Sequence, residues 1–159
     1  MTMIRRLSAD ARNLVLTAAA QEARRRGDRR LGTDHLLLGL LHDADSSTTR
    51  ALGVDLEMAR SASDSLDRAA LDAVGVNVAQ LGTPPPTGFA RRLLPLTSGS
   101  RAVMKRAVEQ TRGAKRPHIE TRDFLLALLD RDLPDPAAEL LSALGVDREQ
   151  VRARLEGSA

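Results

Sequence analysis

The 159-residue chain has no cysteine, no tryptophan and no tyrosine, and its only phenylalanines are Phe89 and Phe124. Without thiols, disulfide frameworks, cysteine nucleophiles and Cys-based zinc sites are excluded, although the redox compartment stays open. So few aromatics leave essentially no platform on which nucleic-acid bases could stack. No apolar run approaches the roughly 20 residues of a membrane helix, and the start Met1-Thr2-Met3-Ile4-Arg5-Arg6 lacks the apolar segment of a signal peptide. A cytoplasmic protein without a membrane partner is the default expectation. No Gly-x-x-x-x-Gly-Lys-Ser/Thr phosphate loop is present, so ATP hydrolysis by that route is excluded, and no Gly-x-Ser-x-Gly nucleophile signature occurs. No enzyme activity and no cofactor are expected.

What is present begins with arginine. Of 24 basic residues all but Lys105 and Lys115 are Arg, yet 21 acidic residues reduce the net charge to +3. That balance is a weak signal for nucleic acid. The run Arg24-Arg25-Arg26-Gly27-Asp28-Arg29-Arg30 is the best argument for the alternative reading, a nucleic-acid-binding regulator built on Arg-rich loops. Three cations in a last turn followed by Gly also make an ordinary helix end, and such an edge could equally dock an acidic protein.

The chain is organised around Leu31-Gly32-Thr33-Asp34-His35-Leu36-Leu37-Leu38-Gly39-Leu40-Leu41. A second version, Ile119-Glu120-Thr121-Arg122-Asp123-Phe124-Leu125-Leu126-Ala127-Leu128-Leu129, follows 88 positions on. Each reads as a short helix apolar on nearly every side, hence buried, with its Thr as N-cap. The elements around each motif match as well. Ser8 and Thr97 cap an amphipathic first helix, and Arg12, Leu14, Ala18 and Gln21 are echoed by Arg101, Val103, Ala107 and Gln110. The first motif helix is expected to run to about His42, with a short helix over about 46–52 and a fourth from Val54-Asp55 to about Leu71. Ala51-Leu52-Gly53-Val54-Asp55 recurs letter for letter as Ala143-Leu144-Gly145-Val146-Asp147. An internal duplication follows: an all-α domain of two tandem four-helix repeats with pseudo-twofold symmetry. Repeat one covers 4–71 and repeat two 96–156. The intervening 72–95, with Thr83-Pro84-Pro85-Pro86-Thr87-Gly88, reads as an extended linker.

These motifs resemble the Clp N-terminal (Clp R) repeat domain, which stands in front of the AAA+ unfoldase modules of Clp proteins. The resemblance covers about residues 4–156, with Asp34 where the family usually has Glu. It implies a binding module for Clp protease components, their substrates or adaptors. Depending on what it is joined to, the chain would serve as a substrate-receiving domain, an adaptor or a decoy; Glu156-Gly157-Ser158-Ala159 would fit a natural end. In Gram-positive relatives such domains bind phosphorylated arginine, an acidic motif residue facing the guanidinium and hydroxyls and backbone amides facing the phosphate. Carried over by position, Asp34 faces the guanidinium with Thr33 and Ser8 nearby, and Thr97 takes the place of Ser8 in repeat two. The second site is altered: Arg122 stands where an acid is needed and would repel a guanidinium, and Glu120, where the family has Gly, would repel phosphate. Relatives also bind cyclic peptides on an aromatic face near the first-helix starts, positions held here by Ile4, Leu7 and Leu96.

Most of these residues also have a purely structural reading. A carboxylate in a helix's first turn, as at Asp34, is worth about 0.3–1 kcal/mol through the helix dipole alone. Ser8, Thr33, Thr97 and Thr121 read as caps first, with any phosphate contact additional. His35 and His42 share a helix face but lie seven residues apart, a rise of about 10.5 Å, too far for two ligands each about 2 Å from one zinc. His35 reads as a packed or hydrogen-bonded residue and His118 as a loop residue. Asp43 with Asp45, and Asp64 with Asp67, read as solvated turn and face carboxylates.

Overall fold

A computed structural model describes residues 4–77 and 93–157. After a 3-10 turn at Ile4–Arg6, eight helices follow among the described residues. Helix α1 spans residues 9–26 without a break but in three parts: Ala9–Asn13 and Ala19–Arg26 are α-helical, and Leu14–Ala18 is a π segment. Then come α2 (Thr33–Leu40), α3 (Ser47–Leu52) and α4 (Leu56–Ala73). The second repeat supplies α5 (Ser98–Gly113), α6 (Thr121–Leu129), α7 (Pro136–Ala143) and α8 (Arg148–Gly157). The proline run of the expected linker lies outside the described residues, and α4 reaches Ala73, past the expected end at Leu71.

The π segment has a cause in the sequence. Ser8 and Thr33 are 25 positions apart, whereas their counterparts Thr97 and Thr121 are 24 apart. The extra residue of repeat one is absorbed in α1, where the Ala19 N–H donates to the Leu14 carbonyl five residues back, one wide turn in an otherwise regular helix. The crowding falls on Gly39 of α2, where an added Cβ would stand 2.9 Å from both the Ala19 nitrogen and Leu14 Cδ1. In repeat two, where α5 is regular, the same position is Ala127.

Helix α2 is buried at every position, and Leu36 and Leu38 are fully so, as its all-round apolar pattern demands. It ends at Leu40, two residues short of the expected His42. Its equivalent α6 places Phe124, Leu125 and Leu128 in the same core. Asp55 and Asp147 cap α4 and α8 after the repeated turn, and Gly53 and Gly145 adopt φ of +70° and +65° there, a left-handed conformation that favours glycine.

Thr33 and Thr121 do not cap their helices, contrary to the sequence-based expectation. The N-cap residues are Gly32 and Glu120, and each Thr is the first helical residue. The first-turn donors are met from the third helical position instead. His35 Nδ1 accepts from the Gly32 N–H at 2.9 Å, and Asp123 accepts from the Glu120 N–H at 2.9 Å. Thr33 is thereby free for a different bond. Its hydroxyl donates to Asp135 at 2.7 Å and accepts from the Ala137 N–H at 3.2 Å, helping to cap α7 of the other repeat.

Cross-connections of this kind hold the halves together. Leu31 exchanges backbone bonds with the strand-like stretch around Leu96, and Ile119 does the same around Leu7. The Ser100 hydroxyl also donates to the Leu31 carbonyl at 2.8 Å. The start of each first helix therefore lies beside the motif of the opposite repeat. Packing follows the same exchange, with α2 against α7, α3 against α8 and α4 against α7.

Candidate functional site

The crossing separates residues that motif position alone had grouped. Ser8 caps α1 by accepting from the Ala11 N–H at 3.1 Å, but its backbone N–H donates to Ile119 of repeat two. It therefore stands beside Glu120, not beside Asp34. Thr97 is the residue brought to Asp34. It caps α5 by accepting from the Ser100 N–H at 3.2 Å, and its own N–H donates to Leu31 at 3.0 Å. Thr33, Asp34 and Thr97 line one open cleft of about 850 Å³, closed on its other side by Asp130–Asp135 of the α6–α7 loop. Ser8 is not part of its wall.

Asp34 already holds a guanidinium. It is only 8% exposed and is bonded to Arg26, which also reaches Asp67 at 2.8 Å, Asp28 at 3.4 Å and the Ser63 hydroxyl at 3.2 Å. Burial disfavours the charge on Arg26, but Asp34, Asp67 and Asp28 outweigh it and hold its pKa above the ordinary value. Asp28 is pushed up by burial and pulled down further by the His35 hydrogen bond and by Arg26, ending below its ordinary value. Asp67 ends above its ordinary value, because burial and the neighbouring Asp34, Asp28 and Asp64 together exceed the pull of Arg26. Since His35 Nδ1 accepts from Gly32, its Nε2–H is the end that donates to Asp28, at 2.9 Å.

This network refines two sequence-based readings. Asp64 and Asp67 lie on a solvated helix face as expected, but both are paired: Arg25 bonds Asp64 at 3.2 Å, and Arg26 bonds Asp67. The Arg run is accordingly not a free cationic patch. Arg25 and Arg26 are committed internally, and Arg24 lies along an apolar groove on another face. Arg29 and Arg30 remain, exposed on the cleft wall and without a side-chain partner among the described residues, as does Asp132 on the facing loop. Sequence reading missed Arg26, Asp67 and Asp132. The N-cap role of Asp135 was legible, since Asp followed by Pro opens a helix here as it commonly does.

The altered positions of repeat two lie away from this cleft. Arg122 is half-buried and makes no side-chain bond among the described residues, while Glu120 is exposed and pairs with Arg116 at 3.3 Å. Arg116 also bonds the fully buried Asp123, which with Glu120 raises its pKa. The apolar candidates do converge: Ile4, Leu7 and Leu96 line a groove of about 580 Å³ with Val15, Leu16 and Met104.

Residues 6–134 match the family model of the Clp repeat (R) N-terminal domain. The chain belongs to the Clp R domain family. Similar proteins include the ATP-dependent Clp protease ATP-binding subunit ClpA homolog of Cyanidium caldarium, 27% identical over 144 residues, and the chloroplastic chaperone protein ClpC1 of Oryza sativa subsp. japonica, 26% identical over the same length. Both alignments cover 89% of the chain, which spans only about 15% and 14% of those proteins. The N-terminal domain of the caseinolytic-protease-associated chaperone ClpD of Arabidopsis thaliana has the same fold, with a TM-score of 0.73, 22% identity, and coverage of 98% of this chain and 95% of that one. The all-α double-repeat architecture is thus that of a Clp R domain. Among the described residues no helix is long and apolar enough to cross a membrane.

Proposed function

We propose that this Clp R domain is a non-catalytic receiver of peptide and protein ligands for Clp proteolysis, and that it takes arginine-phosphorylated side chains in the cleft between α2 and α5. As part of an unfoldase it would receive substrates; without ATPase modules it would act as adaptor or decoy. The observation that carries the reading is the cleft itself. The motif of repeat one and the start of α5 meet there, beside two arginines and one carboxylate without side-chain partners among the described residues. Ser98 and Gly99, in the first turn of α5, offer backbone N–H groups that no intrahelical carbonyl can satisfy. Such a helix start favours phosphoryl oxygens, and Arg29 and Arg30 add positive charge. The ligand is zwitterionic, as is the free charge on the walls.

Titration of isotope-labelled protein with free phosphoarginine, followed by NMR with arginine and inorganic phosphate as controls, tests this directly. Shifts are expected at Thr33, Thr97, Ser98 and Gly99, with Ser8 unmoved. Unchanged spectra at millimolar phosphoarginine would refute the ligand assignment. The nucleic-acid alternative loses its main support once Arg25 and Arg26 are engaged internally, and it predicts a gel shift at low salt that this reading does not.

A further inference from the structure

We infer that the ligand's guanidinium is received by Asp132, and that the motif carboxylate Asp34 positions the cleft wall without touching the ligand. The inference rests on the phosphoarginine reading of the cleft and assigns the carboxylate within it. A guanidinium arriving at Asp34 would meet Arg26 already bonded there, and Arg26 is fixed by Asp28, Asp67 and Ser63 as well. Two cations would share one carboxylate that is only 8% exposed. Evicting Arg26 would take from a mostly buried guanidinium the nearest of its three carboxylates, which disfavours binding.

Asp132 offers the opposite conditions. It is exposed, has no side-chain partner among the described residues, and lies on the cleft wall. Its loop touches the start of α5: a Cβ built on Gly99 would stand 3.0 Å from Asp135 Oδ2 and 3.9 Å from Arg131 Nη2. Loop and helix start are thus near enough for one short zwitterionic group to reach both. In phosphoarginine the phosphoryl group is bonded directly to a guanidinium nitrogen, so its two charges are immediate neighbours. The phosphoryl end fits the Ser98 and Gly99 amides with Arg29 and Arg30, and the guanidinium end fits a carboxylate on the facing loop. Leu133, next to Asp132 and 64% exposed, supplies an apolar surface for the aliphatic stem.

Calorimetric titration of the whole chain with free phosphoarginine, and separately with inorganic phosphate, tests the assignment. Asp132→Asn should weaken phosphoarginine at least tenfold while phosphate binds as well or better, because a negative charge has been removed. Asp34→Asn should lower the melting temperature but, below it, leave phosphoarginine affinity within about threefold of wild type. If Asp132→Asn binds phosphoarginine like wild type, or if Asp34→Asn loses more affinity than Asp132→Asn with an unchanged circular dichroism spectrum, Asp132 is not the receptor. Absence of saturable binding by the wild-type chain would instead overturn the phosphoarginine reading, and the assignment with it.

Discussion

The two repeats keep the same arginine and move its carboxylate. In repeat one Arg60 of α4 meets Glu22, a fully buried residue of α1, at 2.6 Å, and Glu22 also accepts from His42 at 2.7 Å and pairs with Arg25 at 3.3 Å. In repeat two Arg152 of α8 meets Asp130 at 2.7 Å, just past the end of α6, where Asp130 is about one third exposed and shared with Arg106. Counted past the extra residue of α1, the position matching Glu22 is Gln110, which carries no charge. The third residue of each motif helix shows a second exchange. His35 faces an acid, Asp28, whereas Asp123 faces a base, Arg116. What the duplicated fold retains is the bracing arginine of the last helix, while its carboxylate and the sign of charge at the motif helix are exchanged.

The largest expected effect separates the two braces. Glu22→Gln should destabilise the domain by about 3 kcal/mol, because a buried carboxylate paired with two arginines and hydrogen-bonded to His42 loses its charge. Asp130→Asn should change stability by no more than ~1 kcal/mol, as for exposed pairs. Urea unfolding followed by far-UV circular dichroism measures both, tryptophan being absent; equal losses would erase the distinction between the repeats. Next in size is the π segment. Gly39→Ala should destabilise by about 2 kcal/mol through overpacking against Leu14 and Ala19. The matching Ala127→Gly should cost about 1 kcal/mol, through helix propensity. A neutral Gly39→Ala would mean that the wide turn does not press on α2.

Thr33→Val should cost about 1–2 kcal/mol by leaving Asp135 and the Ala137 N–H short of a partner. Thr121→Val, with no such bond to lose, should be near neutral in the same melts. The smallest effect is in pH. Glu22 and Asp28 have folded pKa values below their ordinary ones. For Glu22, burial pushes up but the hydrogen bonds from Arg60 and His42 prevail. Their contribution is therefore present above about pH 4.5 and is lost as pH falls through the folded values. Asp67, raised in the fold, works in the opposite direction and is least unfavourable when protonated. Net loss of stability should begin below about pH 4.5 and be smaller in Glu22→Gln. A Glu22→Gln protein with an unchanged acid profile would remove Glu22 from that account.

The helices were legible because their signals are local: Ser8 and Thr97 as caps, the glycine turns at Gly53 and Gly145, and the all-round apolar runs of α2 and α6. The site was legible only in part. Asp34, Thr33 and Thr97 do share a cleft, but Ser8 was grouped with the wrong motif because the repeats exchange their first-helix starts, which sequence order cannot display. The Arg26–Asp34 bond spans a loop, and the Thr33–Asp135 bond joins residues 102 positions apart. Neither has a periodicity to betray it. The extra residue behind the π segment was visible in the cap-to-motif spacing, though its placement depends on how α1 packs on Gly39.

The paired bridges, Leu7 with Ile119 and Leu31 with Leu96, have the reciprocal arrangement of contacts across a twofold dimer, within a single chain. A half expressed alone would keep one motif and one helix start but lack the complement of each. Another copy of itself could supply both. Such halves should self-associate into symmetric pairs or, when mixed, prefer each other.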